Sequence, residues 1–134
     1  LAGPGGHGFQ EIRVLHALYS FASNSWSPEF EIAVVESSYG GFDVSSNGRG
    51  FAVTWLQPGA SGATDAWADV FNGIAWRGAT LLETGTNRVY SPRIASNGAG
   101  YAVVWSRYDG RSEIDLCARV FDGADWGSVI GLGG

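Results

Sequence analysis

Apolar residues in this chain fall in short runs separated by Gly, Asn and Asp. The runs Phe51–Gln57 and Tyr101–Tyr108 are apolar on both faces, the pattern of a strand covered on each side. Ala66–Phe71 and Leu116–Phe121 alternate in part: Trp67, Asp69 and Phe71 share one face, as do Cys117, Arg119 and Phe121. Ile12–Phe21 reads as a third stretch of this kind. Gly41–Ser46 and Pro92–Ser96 form a leading segment, and a fourth segment is expected to open at Trp76 or Trp126. Between the segments stand turn signals: Asn47-Gly48, Asn97-Gly98, Asn72-Gly73 and Asp122-Gly123. Asn-Gly accepts the positive φ of a tight hairpin, and Gly50 and Gly100 add a second permissive position. No window carries an apolar period of 3.6 with caps. The pattern predicts an all-β protein of antiparallel four-stranded units.

The segments repeat. SNGRGFAVTW, Ser46–Trp55, returns as SNGAGYAVVW, Ser96–Trp105, with seven of ten positions identical at an offset of 50. Over Asp43–Trp76 and Arg93–Trp126, 13 of 34 positions are identical. The same offset, extended backwards, sets Trp26 on Trp76, Phe21 on Phe71 and Ala17 on Trp67. The expected organisation is one repeat domain over 1–134: a half repeat at 1–26, whole repeats at 27–76 and 77–126, and a tail at 127–134. The frame slips between Trp26 and Asn47, as insertions in loops would make it.

Four strands in about 50 residues is the size of a propeller blade. The stretch Trp76–Trp126 resembles a β-propeller blade repeat common in secreted bacterial proteins. Those repeats run from a Trp through a Leu-Ile-Glu stretch, a Pro-x-Ile-Ala strand, a Gly turn, an Ala-Val-Trp strand and an Asp-Gly loop to a closing Gly-x-x-Trp. The ending Ile130-Gly131-Leu132-Gly133-Gly134 is similar, more loosely, to lectin-type propeller blades. The resemblance covers the chain from about Ile12 onward. It implies propeller blades, about two and a half of them, an extracellular or cell-surface setting, and a lectin-like, glycan-binding role. A β-trefoil-like fold is the alternative, although it expects three near-equal thirds and twelve strands where roughly ten are legible. Too few blades for a ring imply self-association or the remainder of a longer chain. The absence of Met from the 134 residues carries the same expectation, that the sequence begins inside a longer product.

Composition narrows the partners. Thirteen acids against eight bases, all of them Arg, give a net charge of −5. Such a chain has no electrostatic footprint for nucleic acid or anionic lipid. Its apolar runs are too short for a membrane-spanning helix, and no signal-peptide pattern stands at the start. One Cys allows neither an internal disulfide nor a multi-cysteine zinc site.

Candidate chemistry points to binding. Indole faces stack on the C–H face of a sugar, and guanidinium forks bind hydroxyls and carboxylates. The candidate ligand-binding residues are Trp67, Trp76, Trp126, Arg77 and Arg119. Trp67 stands out because the repeat does not require a Trp there. Trp55 and Trp105 are expected to pack in the core, as is Cys117. The remaining Arg residues are expected to solubilise the chain or to pair with acids such as Asp69 and Glu83. Asp109, Glu113 and Asp115 crowd one loop, but lack an EF-hand pattern. His7 and His16 have no evident catalytic partner, and the Gly3–Gly8 stretch lacks a phosphate-binding setting. No catalytic residue, cofactor or metal is expected, and no enzyme activity. A glycosidase-like propeller fragment remains a further alternative, as do purely structural blades.

Overall fold

The computed structural model describes residues 11–36, 41–59, 63–83, 88–108 and 113–133. Asp109, Arg111, His7 and the Gly3–Gly8 stretch lie outside them. The protein is all-β; among the described residues the paired strands run antiparallel and the sheets are not closed. The chain divides into two compact units, Leu1–Ser38 and Tyr39–Gly134.

In the larger unit, β5 (Phe42–Ser46), β6 (Phe51–Pro58), β7 (Thr64–Phe71) and β8 (Thr80–Glu83) form one four-stranded sheet in chain order. A second sheet holds β9 (Val89–Ser96), β10 (Tyr101–Tyr108), β11 (Ile114–Phe121) and β12 (Ile130–Gly133), also in chain order. The register repeats between them: Phe51 faces Phe71 as Tyr101 faces Phe121, and Trp55 faces Trp67 as Trp105 faces Cys117. The fourth strands begin at Thr80 and Ile130, later than Trp76 and Trp126 suggest. Each of those Trp residues makes instead an isolated bridge, to Phe71 or Phe121, that closes the turn before the strand starts.

The two sheets lie face to face. Along β6 and β7, Ala52, Leu56, Ala66, Ala68 and Val70 turn to one side. They meet Tyr101, Val103, Trp105, Cys117 and Phe121 on the facing side of β10 and β11, with Leu82, Val89 and Ile94 completing the core. Small residues on the first sheet let large ones on the second interdigitate, which is how a dense core is made from two sheets. β9 packs chiefly against β5, and also against β6 and β7. Polar ties join the same faces. The Thr64 hydroxyl donates to the Val89 carbonyl at 2.9 Å, and the Asp43 carboxylate accepts from the Ile94 amide at 3.0 Å. Glu83 accepts from both the Trp105 indole and the Arg107 guanidinium.

The smaller unit pairs β1 (Glu11–His16) with β4 (Phe30–Glu36), and β2 (Tyr19–Ser20) with β3 (Ser25–Trp26). Its register corrects the sequence alignment. The pairs Leu15↔Glu31 and Val14↔Ala33 step around one extra residue on β4. Trp67↔Leu81 and Ala66↔Glu83 do the same on β8, and Cys117↔Gly131 and Leu116↔Gly133 on β12. Leu15, rather than Ala17, is therefore the counterpart of Trp67 and Cys117. Likewise Tyr19, rather than Phe21, takes the place of Phe71 and Phe121. Tyr19 meets Trp26 with ring centroids 5.2 Å apart, against 5.3 Å for Phe71–Trp76 and for Phe121–Trp126. Two extra residues in the intervening turn displaced the alignment by two on the β1 side only. Phe21 sits at the tip, 90% exposed.

Candidate functional site

Both sheets of the larger unit end in the same pair of turns, and side chains build each turn. Asn47 accepts through Oδ1 from the amides of Arg49 and Gly50, at 3.0 and 2.9 Å; Asn97 does so for Ala99 and Gly100. Asn72 and Asp122 cap the other turns, accepting from Ile74 and Ala75 and from Ala124 and Asp125. Those two amide bonds hold the Asp122 carboxyl below its ordinary range. The turns bring polar side chains to one end of the sheet pair, where an Asx turn satisfies backbone donors without a longer loop.

A cleft of about 410 Å³ opens there between the sheets. From the first sheet it takes Asn47, Arg49, Asn72, Trp76 and Arg77; from the second, Tyr101 and Phe121. Arg77 crosses the cleft. Its guanidinium lies 5.2 Å from the Phe121 ring centroid, donates to the Ala124 carbonyl and pairs with Asp125 at 2.8 Å. This is a cation–π contact with a planar fork engaged at its rim. Tyr101 stands 2% exposed. Its phenol is pushed above the ordinary value by burial, with the Asn47 backbone pulling the other way. Its hydroxyl otherwise lacks a hydrogen-bond partner among the described residues. Such a group is costly to leave unmade.

Two of the five residues singled out from sequence, Trp76 and Arg77, line this cleft. The Trp76 ring also packs against Phe51 and Phe71, each at 5.3 Å between centroids. Trp126 packs beside Phe121 against the core, with its indole N–H buried and without a partner among the described residues. Trp67 is half-buried opposite Trp55, with its N–H in the same state. Arg119 donates to the carbonyls of Gly127, Leu81 and Leu82, so it ties β11 to the first sheet's fourth strand. Trp55, Trp105 and Cys117 are buried, and burial raises the Cys117 thiol above its ordinary value. Of the acids offered as partners for Arg, Glu83 holds Arg107, whereas Asp69 accepts from the amides of Val70 and Gly78. Sequence reasoning passed over Asn47, Tyr101 and Phe121 as parts of a site. Asn47 reads as a turn residue and the other two as core, and only the stacking of the sheets makes them neighbours.

Among the described residues, no three side chains of His, Cys, Asp and Glu come together as a metal site. No helix there is long and apolar enough to cross a membrane. Comparison with protein-family models, curated proteins and solved structures returns no match.

Proposed function

We propose that this protein is a non-catalytic binding module built of propeller-type blades, and that the cleft between its two sheets receives a saccharide. The observation that carries the reading is the make-up of the cleft: two guanidiniums, two side-chain amides and a buried phenol around aromatic rings. Aromatic rings accept the apolar face of a sugar, and planar donors and acceptors fix its hydroxyls. Guanidinium, amide and aromatic groups do not exchange protons near neutrality, so the lining suits binding better than acid–base chemistry. Two four-stranded sheets that share their register across the second, third and fourth strands, stacked with their first strands closest, support blades over a trefoil arrangement. The resemblance to blades of secreted proteins supports an extracellular or surface setting.

The test is a titration of tryptophan fluorescence with simple neutral and acidic sugars, followed by a glycan array with the protein multivalently displayed. A saturable response is expected, weakened about tenfold by Arg49→Ala, which removes a charged donor from an exposed turn. A folded protein that binds no sugar in either format overturns the reading.

A further inference from the structure

The two sheets of the larger unit are equivalent in register from the second strand to the fourth, but not in covering. On the first sheet, Thr64, Ala66 and Val70 are 5%, 0% and 6% exposed, pressed against the second sheet. Their counterparts on the second sheet, Ile114, Leu116 and Val120, are 58%, 42% and 43% exposed. Ile130, opposite Ala118 on the same face, is 48% exposed. The uncovered face is more apolar than the covered one, with Ile, Leu and Val standing where the first sheet has Thr, Ala and Val. Large contiguous apolar faces of this kind mark association sites.

The smaller unit presents the opposite half of that contact. On the second sheet, Cys117 and Phe121 face the first sheet at 0% and 5% exposure. Their counterparts in the smaller unit are Leu15 and Tyr19, and Leu15 is 44% exposed. Trp26, beside Tyr19, is 68% exposed, whereas its counterpart Trp126 is packed on the core. Thus one unit exposes the positions that a covering sheet uses, and the other exposes the positions that such a sheet covers. The match extends to strand type. Apart from Tyr90 on its first strand, the exposed large apolar residues of the second sheet lie on its third and fourth strands, and the described strands of the smaller unit are of third and fourth type.

We infer that the outer face of β11 and β12 is a docking surface for a second copy of this chain, which contributes the Leu15–Tyr19 face of its β1–β4 hairpin. The contact is heterologous: two different patches meet, so each chain can use one patch on each of two neighbours. A recess of about 580 Å³ already marks the place where docking would build a second cleft. It is lined by Asn97, Ala99, Val120 and Asp122 on the second sheet. Those positions correspond to Asn47, Arg49, Val70 and Asn72 in the first cleft. The inference stands apart from the saccharide reading, since it rests on packing rather than on what the cleft holds.

The experiment uses the full chain and two single substitutions at exposed positions, Leu116→Glu and Leu15→Glu, with mass read by light scattering at tens of micromolar. The wild-type chain is expected at twice its 14.1 kDa mass or more. Each variant alone is expected to lose association at least about tenfold, because a carboxylate is forced into an apolar contact. An equimolar mixture of the two restores one intact pair of patches and is expected to stop at dimers. Val120→Glu, on the same face as Leu116, repeats the loss should Leu116→Glu fold poorly, and circular dichroism confirms folding in each case. A monomeric wild-type chain, variants that still associate, or a mixture that stays monomeric each overturns the inference.

Discussion

Asp69 illustrates how one buried side chain can serve two opposing demands. It is 5% exposed, and burial pushes its carboxyl above the ordinary value, against the pull of the Val70 and Gly78 amides and of Arg77. A raised folded pKa means that the native state binds the proton more tightly. This contribution to stability is full below the ordinary carboxylate value and is lost as pH rises through the raised one. Exposed Asp122, whose carboxyl is held low, has the opposite sign: its contribution is present above the ordinary value and fades as pH falls through the lower one. Asp69→Asn keeps the oxygen that accepts both amides and removes the charge. It is expected to leave stability near neutral pH unchanged or up to about 1 kcal/mol higher, and to flatten the pH dependence just above the ordinary carboxylate range. Asp69→Ala leaves two amides without a partner and is expected to cost about 1–3 kcal/mol. Urea unfolding across pH distinguishes the two.

At the scale of elements, the turn sequences were legible and the strand ends less so. Ser-Asn-Gly-x-Gly specified its hairpin fully. Gly48 and Gly98 take φ of 89° and 93°. A Cβ on Gly50 or Gly100 would stand 1.9 or 2.0 Å from the carbonyl oxygen of Phe71 or Phe121. The recurring second Gly is thus required for close approach between neighbouring hairpin tips and not for a positive φ, which neither Gly50 nor Gly100 takes. Gly100→Ala is expected to cost at least about 2 kcal/mol, because the clash is with backbone that cannot rotate away. Gly98→Ala strains only its own φ and is expected to cost less, about 1 kcal/mol. Thermal unfolding monitored by Trp fluorescence compares them. The extra residues on β4, β8 and β12 were illegible, because Leu-Leu-Glu reads as plain strand and a bulge has no composition of its own. The same blindness set Phe21 on Phe71: a two-residue insertion in a turn is invisible to a fixed offset.

Across the larger unit, the contacts that matter most join the sheets. The unbroken apolar runs of β6 and β10 announced cover on both faces, which β6 has and β10 has on one face only, and they could not say which face meets which. Glu83 was legible as a partner for an Arg; that the Arg is Arg107, and that the Trp105 indole shares the carboxylate, appears only in three dimensions. Glu83→Ala removes the acceptor for a buried indole N–H and the partner of Arg107, whose side chain is 35% exposed. A cost of about 2 kcal/mol is expected, below that of breaking a fully buried pair because water can still reach the guanidinium. Glu83→Gln, which can still accept from the indole, is expected to recover part of it. Denaturant midpoints with an unchanged slope would place the loss in stability rather than in compactness.

The displaced residue on the outermost strands governs how the protein can aggregate. β8 and β12 are sheet edges, and each is kinked by its extra Leu, Leu82 or Leu132. At the opposite edge of the second sheet, β9 carries Pro92 and a positive φ at Ser91, and its pairing with β10 is also irregular. A bent or proline-bearing edge is a poor template for a flat incoming strand. Growth along the hydrogen-bonding direction, the direction of cross-β fibrils, is therefore hindered at three of the four edges of the larger unit's two sheets, while stacking on a sheet face is left open. Crowded solutions of this protein should accumulate stacked native chains before amyloid.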